Sequence, residues 1–253
     1  MQLATFTRTE PVDHPLAEQL RQVVRDADRF APRSLQMALG PSEIGQPCAR
    51  RLAYRLMDER RVNTGSDPWA AIVGTAVHAW LAAAFEAVND RLGRIRYLVE
   101  KRVEIRPGLT GSCDLYDADT ATVIDHKVVG PTSMKEYRRS GPPPAYRVQA
   151  HLYGVGYTRL GVPVREVAVA FYPRSGLLSG LHVWSEPFDP AVAEQALQRH
   201  DQVLEAACAL DVDRHPEGYR KLPTDPSHAC NYCPWFKPGP DTGATCPGHM
   251  ATN

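Results

Sequence analysis

No stretch of this 253-residue chain reads as an apolar run long enough to cross a bilayer, and its opening, MQLATFTRTEPVDHP, has no basic-then-apolar leader pattern. The expectation is therefore no membrane partner and a cytoplasmic location. Charge excess is also missing: 29 basic residues balance 29 acidic ones. No bulk positive field announces a nucleic-acid binder, although acidic metal ligands could offset a basic groove. Lysine is scarce, with 5 against 24 arginines. That bias fits GC-rich coding or bidentate phosphate contacts. Cysteine is too sparse, at 6, for a disulfide framework in a cytosolic chain of this length. No internal repeat is visible.

The periodic segments begin with a helix from Pro15 to about Arg29, after an irregular start over residues 1–16. A second helix is expected from Ser42 to about Arg60, followed by a loop over 60–67. Asp67-Pro68 signals a firm helix start. The apolar positions from Ile72 through Leu81 and Phe85 to Val88 then recur at helical spacing, predicting a core-facing helix to about Arg91. Tyr97, Val99, Val103 and Ile105 alternate as a strand. Residues 110–115 and 122–129 form a hairpin across Asp117-Ala118-Asp119. Gly130–Pro144 reads as a loop, 145–160 as a helix, and 164–172 and 180–187 as strands. Asp189-Pro190 opens a last helix to about Leu210. The order predicts an α/β fold with one mixed central sheet flanked by helices. The expected divisions are an N-terminal helical segment over 1–66, a core over 67–210, and a Pro/Gly/Cys tail over 211–253 that meets the N-terminal segment.

Asp125 and Lys127 lie two apart on one strand, so both face the same side. The hairpin sets Asp114 close to opposite Asp125, and two carboxylates that near repel unless a cation sits between them. An ordinary surface charge cluster is the plain alternative. His78 lies at the edge of its helix's apolar stripe, one turn after Gly74, whose missing side chain is expected to leave room. Gln149 and Tyr153 place an amide and a phenol on one helix face.

In this order, His78, Gly111-x2-Asp114, Asp125-x-Lys127 and Gln149-x3-Tyr153 resemble the RecB-like branch of the PD-(D/E)xK nuclease superfamily, with its restriction-endonuclease-like core. The resemblance covers about residues 42–247. It implies a divalent ion, Mg²⁺ or Mn²⁺, held by His78, Asp114, Asp125 and the main-chain carbonyl of His126. Lys127 would orient or deprotonate the attacking water and steady the charge building on phosphorus. Gln149 and Tyr153 would contact the scissile strand or support Lys127. Glu86 and Glu104 are open as additional contacts to a metal or as plain surface residues.

The cysteine arrangement, Cys48 with Cys230-x2-Cys233 and Cys246, looks like that of the CRISPR-associated exonucleases and the AddB-type helicase–nuclease subunits. This resemblance implies a 4Fe–4S cluster clamping the N- and C-terminal segments. A tie across about 180 residues contributes roughly 5 kcal/mol in the chain-entropy treatment. The twelve residues between Cys233 and Cys246 are about twice the usual family spacing. That leaves open a zinc site of Cys230, Cys233, Cys246 and His249. Cys113 and Cys208 read as small buried groups. The implied function is a metal-dependent DNA exonuclease acting at ends, with single-stranded ends as the expected substrate, in recombination, repair or spacer acquisition. A recombination or CRISPR-adaptation protein is the implied partner. Arg50, Arg51, Arg55, Arg138, Arg139, Arg147, Tyr137 and Tyr146 are candidate strand contacts. The alternatives are a non-catalytic nucleic-acid-binding module on the same fold, and a structure-selective endonuclease with a zinc site.

Overall fold

The computed structural model describes residues 14–29, 39–63, 67–225 and 230–249. Of the expected irregular start and of the loop over 60–67, residues 1–13 and 64–66 lie outside the described residues. The chain divides into two compact units, 1–38 and 39–253. In the first, α1 (Pro15–Arg29) matches the predicted helix. Glu18 bridges Arg21 and Arg25 at 3.1 Å each, while Leu16, Leu20 and Val23 are exposed.

The helix expected from Ser42 to Arg60 is two helices, α2 (Pro41–Ile44) and α3 (Ala49–Leu56). Pro47 disfavours helical backbone at Gln46, so the first helix stops and a new start is needed. Cys48 provides it: its Sγ accepts the Arg51 N–H at 3.4 Å. α4 (Trp69–Leu92) begins where predicted, with Asp67 Oδ1 accepting the Trp69 N–H at 2.8 Å.

Two expectations about α4 need correction. Only Leu81 of the helix is buried, and Trp80 is 70 % exposed. Its most apolar 18-residue window has a mean hydropathy of 1.5, so by length and composition alone it could cross a bilayer. In this fold α4 lies against the first three strands.

Those strands are β1 (Tyr97–Arg106), β2 (Leu109–Asp117) and β3 (Thr122–Val129), followed by β4 (Glu166–Pro173) and β5 (His182–Pro187). They form one mixed sheet in the order β1-β2-β3-β4-β5. All neighbours are antiparallel except β3 and β4, which run parallel. The parallel pair requires a crossover. α5 (Pro131–Ser140) and α6 (Pro144–Arg159) supply it. The expected loop over Gly130–Pro144 is therefore largely helix. Pro131, read as a loop former, instead opens the helix, where its missing N–H costs nothing. α7 (Pro190–Ala209) follows, capped by Asp189 accepting the Ala191 N–H. The observed architecture is the predicted α/β class, a mixed sheet flanked by helices.

One core cluster packs the sheet against α6 and α7, with Val123, Val167, Val169, Phe171, Leu152 and Tyr157 fully buried or nearly so. A second joins Leu52, Ala53 and Tyr54 of α3 to Val203, Val212, Tyr219, Trp235 and Cys246. α4 lies across the opposite face of the sheet, since Phe85 stacks on His126 while the next residue of β3, Lys127, meets α6.

β1 does not keep one alternation along its length. Tyr97 touches Phe85 of α4, whereas Val103, six residues on, meets Gly156 of α6. β2 reverses at the same level, for Cys113 and Tyr116 both reach the core around Tyr157. Glu100 stands at the reversal with φ +47°. It is opposite Asp114 in the register, at a pair missing from the ladder.

Candidate functional site

β3 turns Asp125 and Lys127 toward α6. Asp125 is 1 % exposed, and Lys127 Nζ lies 2.5 Å from its Oδ2. The contact is a close ion pair. Lys127 also donates to Gln149 Oε1 at 3.1 Å, and Gln149 Nε2 donates to the Tyr153 hydroxyl at 3.4 Å. Below the ammonium, the Tyr146 ring centroid is 4.8 Å away. The structure thus joins Asp125, Lys127, Gln149 and Tyr153 in one chain of contacts. Gly111 makes room for it: a Cβ there would stand 2.7 Å from Pro41 Cγ and 3.1 Å from Tyr153 Cε1.

Burial pushes Asp125 above the usual carboxylate range, against the pull of Lys127. Burial also favours a neutral Lys127, but the carboxylates of Asp125 and Asp114 outweigh it and raise the ammonium pKa. The result is a fixed cation in a water-poor cleft.

Asp114 enters where β2 and β3 part. Their last paired residues toward the site are Leu115 and Ile124. Beyond them the Asp114 carboxylate accepts the His126 N–H at 2.7 Å. Its other oxygen is 3.4 Å from His78 Nδ1. Burial pushes Asp114 up, yet His78 holds it below its ordinary value, and the same hydrogen bond raises His78. His126 points its ring to the α4 side, among Phe85, His78 and Tyr172. Burial lowers it to about 4, so the ring is neutral at pH 7. Among the described residues neither ring nitrogen has a hydrogen-bond partner.

One expectation fails here. A Cβ at Gly74 would meet nothing within 4 Å, so that glycine makes no room for His78. Glu86 and Glu104 are exposed, the surface placement left open for them, while Glu100, also exposed and not anticipated, lies beside His78 and Asp114. The ligand atoms of these three lie within 4.8 Å of one another. Pairing β1 with β2 outward from the Pro107-Gly108 turn would place Glu100 opposite Leu115; the irregularity between Glu104 and Arg106 moves it opposite Asp114, and no local sequence signal marks that shift.

The expected arginine contacts are mostly engaged in the fold. Arg50 is 3 % exposed and holds Asp241 by two hydrogen bonds. Arg51 bonds Gln46, Arg55 bonds Glu43, and Arg147 bonds Glu186. Arg138 donates to the Gly180 carbonyl and Arg139 to the Ser140 hydroxyl. Tyr137 and Tyr146 both pack around Phe171. Arg50, Arg138 and Arg147 find these partners far along the chain, whereas Arg51 and Arg139 bond close sequence neighbours.

Cys48, Cys230, Cys233 and Cys246 line one pocket with Arg50, Arg51 and Tyr54. Backbone N–H groups of Arg51 and Gly248 reach Cys48 and Cys246 Sγ, each at 3.4 Å. His249 Nδ1 is 3.5 Å from Cys230 Sγ. A short backbone ladder between Trp235–Lys237 and Cys246 closes the tail. Cys113 is buried as expected, but Cys208 is exposed.

No protein-family profile matches the chain, and no curated protein matches it by sequence. Among solved structures, the chain is similar to an alkaline exonuclease from Laribacter hongkongensis. The TM-score is 0.47 at 16% identity, over 73% of this chain and 94% of that one. It is similar also to a phage-related exonuclease from Haemophilus somnus 129PT, with TM-score 0.46 and 13% identity, over 70% and 96% of the two chains. The Laribacter enzyme in complex with dAMP aligns with TM-score 0.43 and 15% identity, over 72% and 96%.

Proposed function

We propose that the chain is a divalent-metal-dependent DNA exonuclease that hydrolyses phosphodiester bonds at DNA ends, with a 4Fe–4S cluster as a structural clamp. The observation that carries the first part is the convergence of Asp125, Lys127, Gln149 and Tyr153 from one side with Asp114 and His78 from the other, where two strands part. A surface charge cluster would not bury a carboxylate to 1 % exposure or hold its lysine with a second, buried amide.

The donor set fits a hard divalent ion. Asp114 and Asp125 supply carboxylate oxygens, His78 an imidazole, and Asp125 Oδ2 is buried against Lys127. When bound, the ion supplies Lewis acidity to the phosphodiester and to water. Lys127 adds a positive charge, locked by Asp125, Gln149 and the Tyr146 ring, toward which negative charge can build. Tyr153 fixes the amide of Gln149 so that its oxygen faces the lysine. Single-stranded ends are the substrate favoured by this reading. The two neighbouring exonucleases, and the dAMP complex of the Laribacter enzyme, prompt the assay, and the argument rests on the site.

The four thiols suit a guest larger than one zinc ion. A tetrahedral zinc with Zn–S of about 2.3 Å sets its sulfurs about 3.8 Å apart. Among the described residues the only triad with ligand atoms mutually within 4.8 Å is His78, Glu100 and Asp114. The Cys230–His249 contact is the observation that favours the zinc reading with Cys48 left free. Recombination, repair or spacer acquisition, in the cytoplasm, is the setting this reading implies.

End-labelled linear DNA and covalently closed circles, incubated with Mn²⁺ or with chelator, test the activity. Metal-dependent release of nucleotides from linear DNA, survival of circles, and no release by Asp125→Asn are expected. Equal cutting of circles would point to an endonuclease. No cutting of either would favour a binding module.

A further inference from the structure

The reversal of face in β1 and β2 sets the Glu100 carboxylate beside His78 and Asp114. Glu100 carries φ +47°, a left-handed conformation that costs a non-glycine residue of order 1 kcal/mol or more. The residue is exposed, and its carboxylate reaches the α4 side, where its oxygen shares a 4.8 Å sphere with the ligand atoms of His78 and Asp114. Among the described residues no hydrogen bond or ion pair to the Glu100 carboxylate is found. Two carboxylates and an imidazole converging this closely form a mixed oxygen–nitrogen set with net negative charge, which is what a divalent ion of the Mn²⁺ type requires.

A second observation points to a guest in the same place. The His126 ring is 3 % exposed, and among the described residues both its nitrogens lack partners. It stands edge-on to the His78 ring with centroids 6.1 Å apart. Buried, unpaired ring nitrogens are uncommon, and a hydrated ion or its water is one way to satisfy them. Lys127 already occupies the far side of the cleft through Asp125, so the open coordination lies toward Glu100.

We infer that Glu100 is a cation ligand: with His78 and Asp114 it forms a divalent-metal seat on the α4 side of the cleft, and the left-handed backbone at position 100 serves to deliver it. The inference rests on the nuclease reading for its purpose, though not for its test. Mn²⁺ binding to the full chain without DNA, followed by the loss of the free-ion EPR signal, should weaken at least about tenfold in Glu100→Gln. Glu104→Gln, an exposed carboxylate on the same strand, should bind as the wild type does. Glu100→Gly should lose the ion equally while melting no lower than wild type, because glycine adopts φ +47° freely. That variant separates ligand loss from misfolding. Wild-type Mn²⁺ affinity in both Glu100 variants would overturn the inference. If those variants bind normally while Asp125→Asn abolishes DNA cleavage, the nuclease reading survives alone. If the wild type binds no Mn²⁺, both fall.

Discussion

Arg50 offers the sharpest test of how the tail is held. Its guanidinium, 3 % exposed, donates to Tyr54 at 2.7 Å, to both Asp241 oxygens at 2.7 and 2.6 Å, and to the Gly243 and Thr245 carbonyls at 3.2 and 3.1 Å. In Arg50→Met the stem volume is roughly kept, but the Asp241 carboxylate is left with only the Gly243 N–H as hydrogen-bond donor, the Gly243 carbonyl with only the Tyr54 hydroxyl, and the Thr245 carbonyl loses the guanidinium. Removing one partner of a buried pair costs about 3–5 kcal/mol. Asp241 is 33 % exposed and has Arg220 at 3.8 Å, so it regains some solvation, and the lower end, about 3 kcal/mol, applies. For a chain of this size that is a fall in Tm of roughly 6–12 °C.

The pH dependence follows from Asp241. The Arg50 hydrogen bond lowers its pKa, outweighing burial. Its contribution is therefore full above the unfolded value of about 3.9 and fades as pH drops below it. Wild-type and Arg50→Met melting curves should differ most at pH 6–8 and converge in acid. Arg50→Lys should recover little, because an ammonium cannot match the two-pronged carboxylate contact. Scanning calorimetry with limited proteolysis of residues 238–246 provides the assay. A Tm within a degree of wild type, with DNA affinity lost instead, would refute the clamp and restore Arg50 as a strand contact.

Lys127→Met should abolish cleavage and also destabilise the fold by about 3–5 kcal/mol, because Asp125 is left buried and unpaired. Adding Asp125→Asn should restore most of the stability without activity, as read by paired melts and digestions. Cys48→Ser should bleach brown, anaerobically purified protein and expose the tail to protease, whereas colourless protein with one zinc and a stable Cys48→Ser would select the His249 site. Gly156→Ala places a Cβ 2.6 Å from Val103 Cγ2, and the overpacking of about 1–3 kcal/mol exceeds the gain in helix propensity of about 1 kcal/mol. A Tm at or above wild type would show that α6 can move aside.

What was legible in the sequence was what neighbours decide. Asp67-Pro68 and Asp189-Pro190 marked two helix starts because capping is a matter of three residues. Asp125-x-Lys127 and Gln149-x3-Tyr153 fell on common faces because periods of two and 3.6 fix direction locally. Arg50 could not be placed from its surroundings, since its partner Asp241 lies 191 residues away. Gly130–Pro144 misled because proline opens helices as readily as it makes turns. Tyr97, Val99, Val103 and Ile105 gave a clean alternation, and it was wrong in space, because one left-handed residue at Glu100 exchanges the faces without leaving a mark in the pattern.

That exchange explains why the site can be where it is. Were β1 and β2 to alternate without interruption, Tyr97 and Val103 would face one helix layer, and the other layer would lack its strand-borne apolar side chains. With the reversal, the Tyr97 and Leu115 ends of the pair pack beside Phe85, and the Val103 and Cys113 ends pack beside α6. Both layers are anchored by the same two strands. The level at which the faces change belongs fully to neither core, so polar groups can occupy it without forfeiting apolar burial there. Glu100 and Asp114 stand at that level, and β3 parts from β2 one residue beyond Leu115. The gap exposes the backbone of His126 to the Asp114 carboxylate and brings His78 of α4 toward Lys127 of the α6 side. The acidic cluster is thus a consequence of the strand reversal that ties the two layers together, and a substitution that removed the reversal would separate His78 from Asp125 before it changed any ligand.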